Sequence, residues 1–202
     1  MARIGFDAMT LLRKSGLARS ESGATAIEFA LIAPVLVFIL CGSFELTQAI
    51  TASRKTAVLS RTISDFVSQT PRSATLSASD LSAIAQASTA VMYPFPVNAS
   101  NLSVTVESIY TPIDSTGTSK IQWTYAWHPD TGTLTPYTSG NEPDSTYDGI
   151  EGKSVIKCTV DYHYTPVFGK LLASLKLDQV TLSQDTMMAP RSGSSVKVAG
   201  QS

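Results

Sequence analysis

The sequence predicts an α+β protein: one helix that crosses a membrane, a second helix, then an antiparallel sheet. Three observations carry this. Residues 24–44 form an apolar run broken by a single carboxylate, Glu28. Helical periodicity continues from there to about residue 92. Beyond residue 100 the apolar period drops from that of a helix to two, the period of a half-buried strand. Helices first and strands after make a layered α+β fold. A chain of 202 residues suits one membrane segment plus one globular domain.

The N-terminal 1–23 form a basic leader, with Arg3, Arg13, Lys14 and Arg19 against Asp7 and Glu21. The run 24–44, ATAIEFALIAPVLVFILCGSF, has the length needed to cross a hydrocarbon core of about 30 Å at about 1.5 Å per residue. Basic residues ahead of a span stay cytoplasmic, so residues 45–202 are expected in the periplasm of a bacterial envelope. A cleaved secretory signal fits poorly. Cys41-Gly42-Ser43 could serve as a cut site, but the apolar region is long and holds a carboxylate. A lipoprotein signal is disfavoured by Leu40 ahead of Cys41. A retained inner-membrane anchor remains.

Glu28 is the residue that asks for an explanation. A carboxylate inside a spanning helix costs about 2–3 kcal/mol even on lenient insertion scales. It can snorkel to a nearby interface, or it can have a partner. Pro34 is expected to kink or locally unwind the helix, which neighbouring helices can cover. Ala26, Ala30 and Ala33 are small enough for close helix packing, or are simple filler.

Residues 44–69 extend the helical period, through Leu46, Ile50, Ser53, Ala57 and Ser64 and through Leu59, Ile63, Phe66 and Val67. One long helix or two separate ones both fit. Arg54, Lys55 and Arg61 should face water or headgroups, and Pro71 ends the run. A second helix is signalled near 78–92. Ser77 and Asp80 are spaced as a capping box, with Leu76 and Leu81 placed as a hydrophobic staple. Leu81, Ile84, Ala85, Ser88 and Met92 then share one face, and Pro94 and Pro96 stop it.

Four strands follow. Leu102, Val104, Val106 and Tyr110 alternate with polar residues, as do Ile121, Trp123, Tyr125 and Trp127, then Ile156, Cys158, Val160, Tyr162 and Tyr164. Val180 and Leu182 suggest the last. A short helix is expected near 167–175. The aromatic ladder Trp123, Tyr125 and Trp127 is read as core rather than as a glycan platform. Cys41 in the apolar run and Cys158 in a strand are not expected to pair.

Chemistry is sparse. His128 and His163 fall on polar strand faces with no Cys or His at ligand spacing. Nucleophile elbow, phosphate loop and HExxH are all missing. No enzyme, metal or cofactor is predicted. The net charge of −1 gives no case for nucleic acid. The loop 129–152 is acidic, and Asp144 and Asp148 stand like positions one and five of a calcium loop. Thr146 and Val155 occupy positions where ligands are wanted, so a solvated turn is the better reading.

The string Gly23-Ala24-Thr25-Ala26-Ile27-Glu28, with basic residues upstream, resembles the type IV prepilin cleavage motif. The wider SGATAIEFALIAPVLVFIL, with SRTISDFVSQ at 60–69, resembles the TadE-like (TadE/TadG) family over roughly residues 20–70. The resemblance implies a pilin-like fold and a part in assembling a tight-adherence (Flp-type) pilus used in surface adhesion. It implies cleavage between Gly23 and Ala24 by a prepilin peptidase. Glu28, with Phe29 beside it, would dock to a neighbouring subunit. The implied partners are other pilus subunits and the assembly machinery. Phe29 stands where major Flp prepilins favour tyrosine, and the chain is far longer than those, which points to a minor or pseudopilin subunit. The alternative is an unprocessed, signal-anchored periplasmic binding module.

Overall fold

A computed structural model describes residues 21–113, 119–129, 131–136, 151–168 and 179–199. The expected short helix near 167–175 lies mostly outside these, with Val167 and Phe168 forming a turn. Helix α1 runs Glu21–Ser68 as one element. It is followed by β1 (Thr75–Leu76), α2 (Ala78–Ser88), a 3-10 turn (Thr89–Met92), β2 (Leu102–Tyr110), β3 (Lys120–His128), β4 (Thr131–Pro136), β5 (Ser154–Tyr164), β6 (Val180–Met188) and β7 (Lys197–Val198). The fold class is therefore α+β, as predicted. The chain divides into two compact units between Leu46 and Thr47.

The first unit contains the apolar part of α1. Its most apolar stretch has a mean hydropathy of 2.4 and no buried residue, so the helix is long and apolar enough to cross a membrane. The helix continues unbroken through Pro34, so the expected local unwinding does not occur. Proline removes one i→i−4 bond, and the intact turns on either side hold the ring in register.

The second unit is a five-stranded antiparallel sheet in the order β4-β3-β2-β5-β6, with helices on one face. Strict alternation builds that face. Leu102, Val104 and Val106 of β2, Trp123, Tyr125 and Trp127 of β3, and Ile156, Cys158, Val160 and Tyr162 of β5 are all buried. The aromatic ladder is thus core, as the sequence predicts. The opposite face is polar, with Glu107 directly opposite Lys157 and Ser103 opposite Asp161. A bulge between Ser108 and Ile109 shifts the register against β3, and both residues are buried.

Three strands escaped the sequence reading: β4, β1 and β7. β4 occupies part of the segment expected as a loop. Thr131-Gly132-Thr133 offers no apolar alternation, and only Leu134 packs on the core. Gly132 is required there, because a Cβ at this position would stand 2.0 Å from the Tyr125 hydroxyl. The second sheet pairs β1 with β7 in parallel, Thr75 with Lys197 and Leu76 with Val198, strands too short to show a period.

The C-terminal part of α1 covers β5 and β6. Its buried side runs through Ala52, Thr56, Leu59, Ser60, Ile63, Ser64, Val67 and Ser68. Of the residues expected at helical spacing, Leu59, Ile63, Ser64 and Val67 lie on this side, while Leu46, Ile50 and Phe66 are exposed. Small hydroxyl residues let the helix approach the sheet, and their oxygens find carbonyl partners: Ser60 Oγ donates to Cys158 O at 2.7 Å, and Thr56 Oγ1 to Ala52 O at 2.9 Å. Lys55 bonds Val91 O at 3.0 Å rather than facing water freely. Past the helix end, Arg191 pairs with Asp65 and its N–H donates to Ser68 O at 2.9 Å.

Helix α2 covers β3 and β4. Its capping box forms as expected. Asp80 N–H donates to Ser77 Oγ, and Ser77 N–H donates to Asp80 Oδ2 at 2.8 Å. Ser77 Oγ also donates to Asp80 Oδ2 at 2.7 Å, and this bond, with that from Ser77 N–H, holds the Asp80 carboxyl below its usual range. Leu81, Ala85, Ser88 and Met92 are buried, the last from the 3-10 turn that ends this helix earlier than expected.

Candidate functional site

Glu28 lies on a regular helical turn of α1, among residues with no buried neighbours in this chain. Ala24, Ala26, Phe29, Ala30 and Pro34 are exposed, while Gly23 and Ala33 are half-buried. At 100° per residue, Ala26, Ala30 and Ala33 share one flank of the helix, and Glu28 lies off that flank. Phe29, Leu31, Ile32, Val35, Leu36, Val37, Phe38, Ile39 and Leu40 surround the helix with apolar side chains, so no water-facing stripe is left. This helix needs an apolar medium on all sides. Within that medium a carboxylate needs a partner or a path to the interface.

The remaining candidates do not converge. His128 is exposed, with Nδ1 3.3 Å from Leu102 O, and His163 Nδ1 lies 3.0 Å from Thr181 Oγ1. The two rings stand on separate strands, each engaged locally. Asp144 and Asp148 lie outside the described residues. Among the described residues no three His, Cys, Asp or Glu side chains cluster as a metal site would require.

Cys41 and Cys158 are both free thiols. Cys158 is buried mid-sheet, and burial pushes its pKa up to about 12, against the opposing pull of the Ser60 and Ser64 hydroxyls. Burial also raises the Tyr162 phenol and the Tyr125 phenol, the latter opposed by Ser82. For Cys158 and Tyr125 the shift belongs to core packing, since both side chains are enclosed in the core.

A cavity of about 380 Å³ was missed by sequence reasoning. It gathers Gln48 of α1, the Pro94-Phe95-Pro96 turn and the C-terminal end of β5. Its only sequence signal was the concentration of Pro and aromatic residues at 93–96.

The arrangement defines an α+β protein with one N-terminal helix long and apolar enough to cross a membrane, and Glu28 lies on that helix. The family of TadE-like proteins matches residues 23–61, the part of α1 that contains Gly23, Ala24, Glu28 and Phe29. The chain therefore carries a TadE-like segment, as its resemblance implied, and that segment suggests involvement in Tad pilus assembly. No curated protein and no solved structure matches the chain.

Proposed function

We propose that this chain is a membrane-anchored, pseudopilin-like component needed to assemble a tight-adherence (Flp-type) pilus. The observation that carries the reading is the TadE-like match over residues 23–61, on an apolar helix with one internal carboxylate. The leader stays in the cytoplasm, α1 crosses the inner membrane once, and the sheet domain lies in the periplasm. A prepilin peptidase cuts between Gly23 and Ala24. The new ammonium on Ala24 and the Glu28 carboxylate of a neighbouring subunit then neutralise each other in low dielectric, which fixes register between helices. Ala26, Ala30 and Ala33 let a neighbouring helix approach closely. The domain supplies contacts to other subunits and to the assembly machinery rather than catalysis.

The test is mass spectrometry of the N-terminus of membrane-extracted protein, with and without the prepilin peptidase. A chain that starts at Ala24 only when the peptidase is present supports the reading. An uncut chain in both strains reduces it to a signal-anchored periplasmic module. Independently, Glu28→Ala is expected to insert normally but to leave cells without pili by electron microscopy. Normal piliation would remove the docking role of Glu28.

A further inference from the structure

The cavity beside Gln48 has an unusual composition for the surface of a domain. Phe95 packs edge-to-face on Tyr162 and Tyr164, with ring centroids 6.4 and 6.2 Å apart, and Tyr162 donates to Pro96 O at 3.0 Å. None of its lining residues is Asp, Glu, Lys or Arg. Val167 on its wall is 68% exposed, and Tyr93, next to the lining residue Pro94, is 81% exposed. Isolated exposed apolar side chains are ordinary. Here they border one uncharged, aromatic-floored cavity.

The covalent chain says what lies next to it. Gln48 is four positions beyond Phe44, the last residue of the apolar run. Four residues reach about 14 Å even when fully extended. If the run spans a bilayer, the cavity wall is held within that distance of the hydrocarbon boundary. The headgroup layer of one leaflet is itself about 5–7 Å thick. Tyrosine is the kind of residue that gains from this layer, its ring among acyl carbons and its hydroxyl in water.

We propose that the rim of this cavity, Tyr93 and Val167 foremost, seats in the lipid headgroup layer and fixes the orientation of the domain on the membrane surface. The proposal rests on the anchoring of α1 in a membrane, and goes beyond it. A seated rim would limit how far the domain tilts on the membrane surface.

The test uses the full chain, with Cys41→Ser, in vesicles of phosphatidylethanolamine and phosphatidylglycerol. An environment-sensitive fluorophore (NBD) is attached in turn at Tyr93→Cys, Val167→Cys, Val37→Cys and Arg72→Cys. Arg72 follows the far end of α1, and Val37 lies within the apolar run. Vesicles then receive lipid spin-labelled on the headgroup or along the chain. The expected result is about a twofold or greater loss of emission at 93 and 167 with the headgroup label, and little change at 72. Val37 responds to the chain label. If Val37 is quenched while 93 and 167 behave like 72, the proposal is overturned and the anchor stands. If 93 is blue-shifted but unquenched, a protein covers the rim and the proposal is again overturned. If Val37 is not quenched either, the anchoring reading and the proposal fall together.

Discussion

Cys158 shows how a single residue records its surroundings. It sits mid-strand in β5, opposite Val106 on one side and Thr186 on the other, under the helix that brings Ser60. Burial pushes its thiol up to about 12 in the folded protein, from an ordinary value near 9.0. Between those values the unfolded chain binds fewer protons than the native one, so stability falls as pH rises from about 9 toward about 12. The slope from this one group is at most about 1.4 kcal/mol per pH unit. Tyr125 and Tyr162, also raised by burial, add to it at higher pH. Cys158→Ala is expected to flatten the onset of this alkaline loss in urea titrations. A membrane-impermeant thiol reagent at pH 8 should leave Cys158 unlabelled until the domain is unfolded. Fast labelling in the native state would contradict the burial described above.

At the scale of elements, the helix–sheet contact depends on small hydroxyl residues. Thr56, Ser60, Ser64 and Ser68 recur every fourth position and are all buried. Each loses its water, so each needs an acceptor, and Ser60 finds Cys158 O on the strand itself. Ser60→Ala should cost about 0.5–1.5 kcal/mol through the lost bond. Ser60→Leu should cost more, because the extra methylenes must push the helix off the sheet, typically about 1–3 kcal/mol on their own. Urea unfolding of the detergent-solubilised chain measures both. Equal costs would show that the seam tolerates bulk and that close approach is not what selects serine. The capping box of α2 follows the opposite logic. Its signal is local, Ser77 and Asp80 three residues apart, and it was legible in the sequence for that reason.

At the scale of the molecule, one helix carries two patterns of side chains. Its N-terminal part is apolar on every side, and its C-terminal part is amphipathic, with Leu59, Ile63 and Val67 in the core of the domain. Burying each of these contributes about 1.5–3 kcal/mol, together comparable with the whole stability of an ordinary domain, about 5–15 kcal/mol. The fragment Thr47–Ser202 is therefore expected to fold with a single cooperative transition by circular dichroism. A fragment that begins after Ser68 should not. Cooperative folding of the shorter fragment would mean that the sheet and α2 suffice without α1.

The sequence alone determined what depends on neighbours along the chain. The apolar run with its lone Glu28, the capping box, and the alternation of β2, β3 and β5 all report local periods or spacings, and their physics is complete within a few residues. The tertiary structure decided what depends on approach across the chain. It made β4 a strand although Thr131-Gly132-Thr133 has no apolar period, because Gly132 fits beneath the Tyr125 hydroxyl. It buried Thr56, Ser60, Ser64 and Ser68 beside Leu59, Ile63 and Val67 on one side of α1 while Leu46 and Ile50 stay exposed, and the hydroxyls are tolerated there because each has a carbonyl acceptor. It gathered Gln48, Phe95 and Tyr162, far apart in sequence, around one cavity, since only packing brings such residues within contact.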